Sequence, residues 1–218
     1  MSFTVAIDGP AGSGKGTVTK IVAEKLNLIN VDPGAMFRCV ALAMLEKNIK
    51  IDEEEKIAKA LEEIKIDMHE DGTILLNGKD VTHRIRENDV NELVSPISVI
   101  RIIREKLLKL QREMAVGKNI IMEGRDIGHT VFPNANVKIY LTASPEVRAQ
   151  RRMKQNEEKG IKTSYEEVLN NIIDRDKRDS TREIAPLRKA DDAIEIDSSD
   201  LVIDEVVGKV CEVIESKM

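Results

Sequence analysis

The stretch "VAIDGPAGSGKGTVTK", residues 5–20, decides the fold class of this chain. An apolar segment ends in Asp8, four glycines and Lys15 follow within eight residues, and a helical pattern begins near that lysine. The spacing G-x-x-x-x-G-K is typical of a phosphate-binding loop between a buried strand and a helix. Glycines present backbone N–H groups with no Cβ in the way, and the helix N-terminus adds positive potential. We therefore predict a site for nucleotide phosphates rather than an ordinary glycine-rich turn.

Composition narrows the possible functions. The 218 residues suffice for one full core, and the net charge of −5 gives no basic excess for nucleic acid. Two tyrosines, three phenylalanines and no tryptophan leave few aromatic rings for stacking on bases. The sequence shows neither a signal peptide nor an apolar run of membrane-spanning length. We expect a cytoplasmic protein with no membrane partner, in which Cys39 and Cys211 are buried, reduced thiols.

Apolar segments alternate with helical patterns, which is typical of a parallel α/β sheet covered by helices. The predicted core strands are residues 3–8, 28–31, 119–123, 137–141 and 193–196. The predicted helices are residues 15–26, 35–47, 53–64, 96–116, 145–158, 164–181 and 204–216. With the glycine loop, this order predicts a P-loop NTPase fold with a five-stranded parallel sheet. The histidines, His69, His83 and His129, have no metal-ligand spacing, and we expect them at the surface or in turns.

Residues 65–81 interrupt the alternation of strands and helices. They alternate apolar and polar residues and contain the turn signals Asp71-Gly72 and Asn77-Gly78. This pattern predicts a small antiparallel meander. We interpret it as an insertion on the α/β core.

Two charged positions follow predicted strands, where α/β sheets place their sites. Arg38, early in the helix after "NVDPGA", has the reach to bind a phosphate, although a solvated helix arginine is equally consistent with the pattern. Glu123 ends a buried strand, as expected for an acid beside a metal in a P-loop protein. The alternative for Glu123 is a polar loop with no such role.

Two arginine clusters occur at helical spacing. Arg175, Arg178 and Arg182 share one predicted helix face with Asp179. Another cluster upstream contains Arg148, Arg151 and Arg152. The polar segment "NEEKGIKTS" joins them, so the two helices are predicted to form a lid that closes over phosphates. A solvated pair of charged helices is the alternative.

Together these motifs resemble the bacterial cytidylate kinases. The segments "IDGPAGSGKGT", "DPGAMFR", "EGRDIG", "VFPNANVKIYL", "RAQRR" and "RDKRDSTREIAPL" have the order and spacing of that family over nearly the whole chain. In the loop, Gly16 stands where Ser or Thr usually follows the lysine; G-K-G-T resembles nucleoside monophosphate kinases. The resemblance implies one kinase domain. Its parts are a core (residues 1–64, 96–150 and 183–218), a nucleotide-binding insertion (about 65–95) and a lid (about 151–165).

The resemblance also implies roles for individual residues. ATP phosphates are expected on the loop residues Gly9, Pro10, Ala11, Gly12, Ser13, Gly14, Lys15, Gly16 and Thr17. Cytosine is expected on Ser95, Arg104 and Asp126, since a carboxylate accepts from the N4 amino group but repels O4 of uracil. The acceptor phosphate is expected on Arg38, Arg125, Arg175 and Arg182. Asp179 would bind the sugar beside Arg175, and Mg²⁺ would be held by Thr17 and Glu123, directly or through water.

The implied activity is transfer of the γ-phosphoryl group of ATP to CMP or dCMP by a monomeric enzyme. Lys15, Arg125, Arg182, Arg151 and Arg152 are the expected catalytic residues. Three positions depart from the family pattern: Pro33 replaces a usual serine, Phe37 a usual tyrosine and Glu123 a usual Asp. The rival hypotheses are a P-loop kinase for AMP, UMP or shikimate, and a nucleotide-binding regulatory protein that hydrolyses ATP slowly.

Overall fold

The computed structural model describes residues 2–69, 71–158 and 160–218. The strands are β1 Thr4–Asp8, β2 Ile29–Val31, β3 Ile66–Met68, β4 Ile74–Leu76, β5 Lys79–Asp80, β6 Ile120–Gly124, β7 Val137–Thr142 and β8 Ile194–Asp197. The α-helices are α1 Lys15–Leu26, α2 Pro33–Glu46, α3 Glu54–Glu63, α4 Asn88–Ile97, α5 Arg101–Ala115, α6 Pro145–Glu158, α7 Tyr165–Thr181 and α8 Ile203–Glu215. A 3₁₀ turn covers Arg84–Arg86, and a π-helical turn covers Ile127–Val131.

The chain divides into two compact units. The first spans Met1–Asn30 and Gly117–Met218, and the second spans Val31–Val116. The predicted insertion, residues 65–95, falls inside the second unit, whereas the predicted lid falls inside the first.

The five-stranded sheet has the order β2-β6-β1-β7-β8. Strand β1 is central and pairs in parallel with β6 and β7, so Asp8 lies between Gly124 and Tyr140. Strand β7 also pairs in parallel with β8. This arrangement confirms the predicted parallel sheet and brings the carboxyl ends of β1 and β6 side by side.

The core of the first unit is aliphatic. Val5, Ile7 and Ile121 of the sheet pack with Val18 of α1 and Val210 of α8. These strand residues are almost completely buried because helices cover the parallel sheet. A separate small cluster, Ala149, Val168 and Ile172, joins α6 to α7.

The second unit is mainly helical. Helix α2 is buried along most of its length and supplies residues such as Met36, Cys39 and Leu42 to the core. Strands β3, β4 and β5 form the predicted antiparallel meander, in which Ile66 pairs with Leu76. At its second turn Asn77 and Gly78 both have positive φ, as a tight hairpin turn requires.

Two expectations need correction. The helix predicted over residues 96–116 begins only at Arg101, as α5, and the helix before it, α4, was not predicted; Pro96 lies inside the last turn of α4. Cys39 is buried as predicted, but Cys211 is only half-buried; both are free thiols. The histidines agree with the prediction of surface or turn positions: His69 and His83 are exposed, and His129 lies half-buried in the π-helical turn, with its Nε2 3.0 Å from the carbonyl oxygen of Pro186.

The helices of this chain are those of a protein without a recognisable membrane span in its described residues. None of those in the described part of the chain is long and apolar enough to cross a membrane.

Candidate active site

The glycine loop connects β1 to α1, as predicted. Gly9, Gly12 and Gly14 have positive φ, and Gly14 caps the start of α1. Lys15 is 4% exposed, and its Nζ donates to the carbonyl oxygen of Pro10 at 2.7 Å. The lysine is therefore folded back onto its own loop, beneath the backbone that would surround a phosphate.

Positive charges converge on this loop in the first unit. Burial lowers the pKa of Lys15 to about 7, and the positive charge of Arg125 acts in the same direction. Glu123 and Asp8 oppose this shift. Burial also lowers the pKa of Arg175, and repulsion from Arg125 adds to the effect. The cations are thus close enough to repel one another, as in a site that is completed by a polyanion.

Asp8 is a site residue that the sequence analysis did not assign. Its carboxylate is buried and accepts from the backbone N–H of Ile127 at 2.8 Å and of Gly128 at 2.7 Å. Burial raises the pKa of Asp8 to about 6 despite these two bonds. Asp8 thereby fixes the turn after β6 that carries the predicted site residues. The sequence did contain a signal for this residue, because Asp8 is an acidic residue at the end of an apolar strand.

Glu123 and Thr17 are the two residues predicted to hold Mg²⁺. The half-buried Glu123 is the penultimate residue of β6, and a Cβ built on Gly16 would lie 2.9 Å from its Oε1. A larger residue at position 16 would require the end of the Glu123 side chain to shift, so Gly16 and this carboxylate are close neighbours. Thr17 is exposed in the first turn of α1. A carboxylate and a hydroxyl are oxygen donors of the type that Mg²⁺ takes, with phosphates and water filling the other positions.

Among residues 2–69, 71–158 and 160–218, no group of three or more His, Cys, Asp or Glu side chains could hold a metal ion.

A chain of ion pairs links the turn after β6 to α7. Arg125 donates through Nε to Asp179 at 3.1 Å. Arg182 lies 3.9 Å from Asp179 and 3.8 Å from Asp126, and its Nε donates to the carbonyl oxygen of Ala185. The structure thus brings four predicted substrate residues together within the first unit. Arg182 itself follows the end of α7 and has an extended backbone, so it is not on the predicted helix face.

The upstream arginine cluster differs from the prediction at Arg148. This side chain is buried, pairs with Asp176 at 2.6 Å, and donates to the carbonyl oxygens of Ala143 and Ala11. It is a fixed link between α6, α7 and the glycine loop, and it is not available to move with a lid. Oδ1 of Asp176 is buried without a hydrogen-bond partner, which increases its dependence on Arg148.

The other two members of that cluster have different environments. Arg151 donates to Oγ and to the carbonyl oxygen of Ser198, at 3.1 and 2.6 Å. Arg152 is exposed, and its charge lowers the pKa of Arg175. Arg152 is therefore the member that remains accessible.

The second unit contains the remaining predicted residues. Arg104 donates to the carbonyl oxygen of Ser98 at 3.0 Å, and Ser98 donates through Oγ to the carbonyl oxygen of Ser95. The Arg104 guanidinium carbon lies 5.8 Å from the centre of the Phe37 ring. Phenylalanine therefore supplies a cation–π surface without a hydroxyl.

The start of α2 shows how Pro33, which departs from the family pattern, fits this position. Asp32 caps α2 by accepting from the N–H of Ala35 at 3.0 Å, and Pro33 occupies the first helical position. Proline is well suited there because the N–H that it lacks has no partner within the helix. Arg38, one turn later, donates through Nε to Asn91 at 3.1 Å.

Solved structures with a similar fold include kinases. Shikimate kinase from Bacteroides thetaiotaomicron superposes with a TM-score of 0.52 at 14% identity, covering 98% of both chains. An uncharacterized protein from Eubacterium ventriosum gives a TM-score of 0.54 at 19% identity, covering 99% of both chains. These likenesses concern the fold alone and agree with the predicted P-loop architecture.

Sequence comparisons are more specific. The family model for cytidylate kinase matches residues 5–216. The chain is 48% identical to a cytidylate kinase from Fusobacterium nucleatum over 98% of both chains. It is 46% identical to one from Bacillus subtilis, covering 99% of this chain and 97% of the relative. The chain therefore belongs to the cytidylate kinase family.

Proposed function

We propose that this protein transfers the γ-phosphoryl group of ATP to CMP or dCMP, giving ADP and CDP or dCDP, with the residues assigned below. The carrying observation is the convergence of Lys15, Arg125 and Arg175 in the first unit, where burial and, after it, the positive charge of Arg125 lower the pKa of both Lys15 and Arg175. Such crowding costs free energy in the empty protein and is relieved when phosphate charges lie between the cations.

The glycine loop is the proposed site of the ATP phosphates. Its backbone N–H groups and the N-terminus of α1 attract the anion, and Lys15 supplies a charge next to the β–γ bond. Bound phosphate would favour protonated Lys15, because an anion within contact distance raises the pKa of a lysine. The positive charge of Lys15 then stabilises the transition state, in which negative charge shifts to the leaving ADP.

The acceptor phosphate is the proposed ligand of Arg125, Arg175 and Arg182 in the first unit and of Arg38 in the second. An oxygen of that phosphate attacks the γ-phosphorus, and the bond to the β–γ bridging oxygen breaks, so that ADP leaves with the electron pair. No general base is needed, because the phosphate of CMP is already ionised at neutral pH. Catalysis then consists of alignment and charge neutralisation.

The base and sugar are assigned to further residues. Asp126 accepts from the cytosine amino group, and Arg104 and Ser95 donate to its ring nitrogen and carbonyl. Asp179 binds the sugar. Asp179 and Asp126 already face arginines in the first unit, at 3.1 and 3.8 Å.

Mg²⁺ is the proposed metal, held by Thr17 and Glu123 directly or through water. When bound it would neutralise charge on the outer phosphates. Arg152, exposed on α6, is the proposed lid residue that approaches the γ-phosphate. Arg151 is proposed to assist once its bonds to Ser198 are exchanged for phosphate.

A coupled assay of ADP release tests the function. CMP or dCMP should stimulate ADP release from ATP, whereas UMP, AMP and shikimate should do so weakly, and Lys15→Ala should abolish the stimulation. Equal ADP release with and without CMP would instead support the rival regulatory ATPase. A preference for AMP, UMP or shikimate would indicate another small-molecule kinase. The monomeric state and the cytoplasmic location stay predictions, and sedimentation of the purified protein tests the first.

A further inference from the structure

We propose that Asn91 is a positioning residue that sets the direction of the Arg38 guanidinium. This inference rests on the proposed function, in which Arg38 binds the acceptor phosphate. All the contacts involved lie within the second unit. Arg38 lies on helix α2 and Asn91 lies on helix α4, and these two helices pack against each other.

The orientation of the Asn91 amide is determined by its neighbours. Its Nδ2 donates to the carbonyl oxygens of Arg86 and Glu87, at 2.7 and 2.9 Å. Carbonyl oxygens only accept, so the nitrogen must be on that side and Oδ1 on the other. Oδ1 accepts from Nε of Arg38 at 3.1 Å. A flipped amide would lose all three bonds, which makes Asn91 a rigid acceptor.

A neutral acceptor suits an arginine that must bind a phosphate. The carboxylate close to this guanidinium, Asp32, is 3.9 Å from Nη1, and its other oxygen already accepts from Ala35. Both side chains of that ion pair are about one quarter to one third exposed, at 26% and 31%, so the attraction is weakened by solvent. The amide of Asn91 therefore holds Arg38 in place without neutralising its charge.

Gly34 completes the arrangement from the side of α2. A Cβ built on this residue would lie 3.1 Å from Nη1 of Arg38 and 3.0 Å from Oδ1 of Asp32. The guanidinium thus lies close against the backbone of the first turn of α2. An alanine at residue 34 would require the guanidinium and the Asp32 carboxylate to shift by a few tenths of an ångström, while improving helix propensity.

Asn91 also has a plain structural alternative, since it ties the 3₁₀ turn to the first turn of α4. A double-mutant cycle between Asn91→Ala and Arg38→Ala separates the two roles. We expect Asn91→Ala to raise the KM for CMP about 3- to 10-fold, the range for losing one ordinary, solvent-exposed hydrogen bond. The KM for ATP should not change. In the Arg38→Ala background, Asn91→Ala should change the KM for CMP by less than about 2-fold.

Gly34→Ala provides a second, independent test, because it disturbs Arg38 without removing a bond from α4. Like Asn91→Ala, it should raise the KM for CMP, and it should leave the melting temperature unchanged or higher. Glu92→Ala, an exposed position on the same helix, is the matched control and should change neither. If Asn91→Ala does not fold, Asn91→Leu, which keeps the side-chain volume and removes the same acceptor, takes its place in the cycle.

The contrary results are equally specific. Effects of Asn91→Ala and Arg38→Ala that multiply would show that the amide does not act through Arg38. A lower melting temperature with an unchanged KM for CMP would leave Asn91 a purely structural residue, and an unchanged KM in Gly34→Ala would overturn the proposal in the same way. Failure of the proposed function would look different, since the wild type would then show no ADP release dependent on CMP.

Discussion

Replacing Arg148 tests whether this arginine is a fixed part of the first unit. The guanidinium is buried and holds Asp176 and two backbone carbonyls, while the Asp176 side chain is 25% exposed. Removing one partner of a buried pair costs about 3–5 kcal/mol, and the partial exposure of Asp176 places the expected loss near the lower end. Arg148→Met, which keeps most of the apolar stem, should therefore lower the free energy of unfolding by about 3 kcal/mol.

Urea unfolding followed by circular dichroism measures this loss. Arg152→Met is the matched control, because Arg152 is an exposed arginine on the same helix and should change stability by no more than about 0.5 kcal/mol. Adding Asp176→Asn to Arg148→Met should restore part of the loss, because it removes the buried charge left without a partner. Equal stability of the Arg148→Met and Arg152→Met variants would refute the structural role and revive Arg148 as a lid residue.

Three further predictions concern the phosphate site. Lys15→Ala should lower kcat about 100-fold or more, the scale for losing one charge partner of a transition state, and steady-state kinetics showing a loss of only a few-fold would contradict its role. Since the pKa of Lys15 is about 7 in the free protein and phosphate raises it, binding of an unreactive ATP analogue above pH 7 should take up protons. Calorimetry in buffers of different ionisation enthalpy should show this uptake in the wild type and less of it in Lys15→Met; equal uptake would exclude the lysine as its source. Hydrogen exchange across residues 152–164 should slow most when the analogue and CMP are both bound, because several phosphate charges are needed between the arginines; equal exchange in all states would make the segment a fixed surface element.

The sequence was most informative where local pattern and tertiary structure agree. The glycine loop, the strand before it and α1 occur where predicted, because a short apolar run, glycines and a helical period each encode their own conformation. The meander was equally readable from its turn residues. At residues 96–116 the apolar period continues across a break, so it does not reveal that α4 ends at Ile97 and α5 begins at Arg101.

The site was less predictable where partners come from distant parts of the chain. Helical spacing grouped Arg148 with Arg151 and Arg152, but burial of Arg148 is determined by Ala11 and Asp176, far away in sequence. Asn91 gave no motif at all, since its importance depends on two carbonyls and on Arg38 across α2 and α4. Periodicity shows which face of a helix a residue occupies, and only the folded structure shows which residues contact that face.

The most direct test of the central claim is the CMP/UMP ratio of kcat/KM in the wild type and in Asp126→Asn. Asp126 is buried beside Arg182 in the first unit, and its carboxylate is the proposed acceptor for the cytosine amino group. An amide at this position can donate to O4 of uracil, so the ratio should fall by about 10-fold or more, as expected when a specific hydrogen bond to the substrate is changed. Asp179→Asn, which affects the proposed sugar contact, should weaken both substrates and leave the ratio unchanged. A ratio in Asp126→Asn equal to that of the wild type, with both activities lowered alike, would contradict the claim that this cluster reads the base of the acceptor.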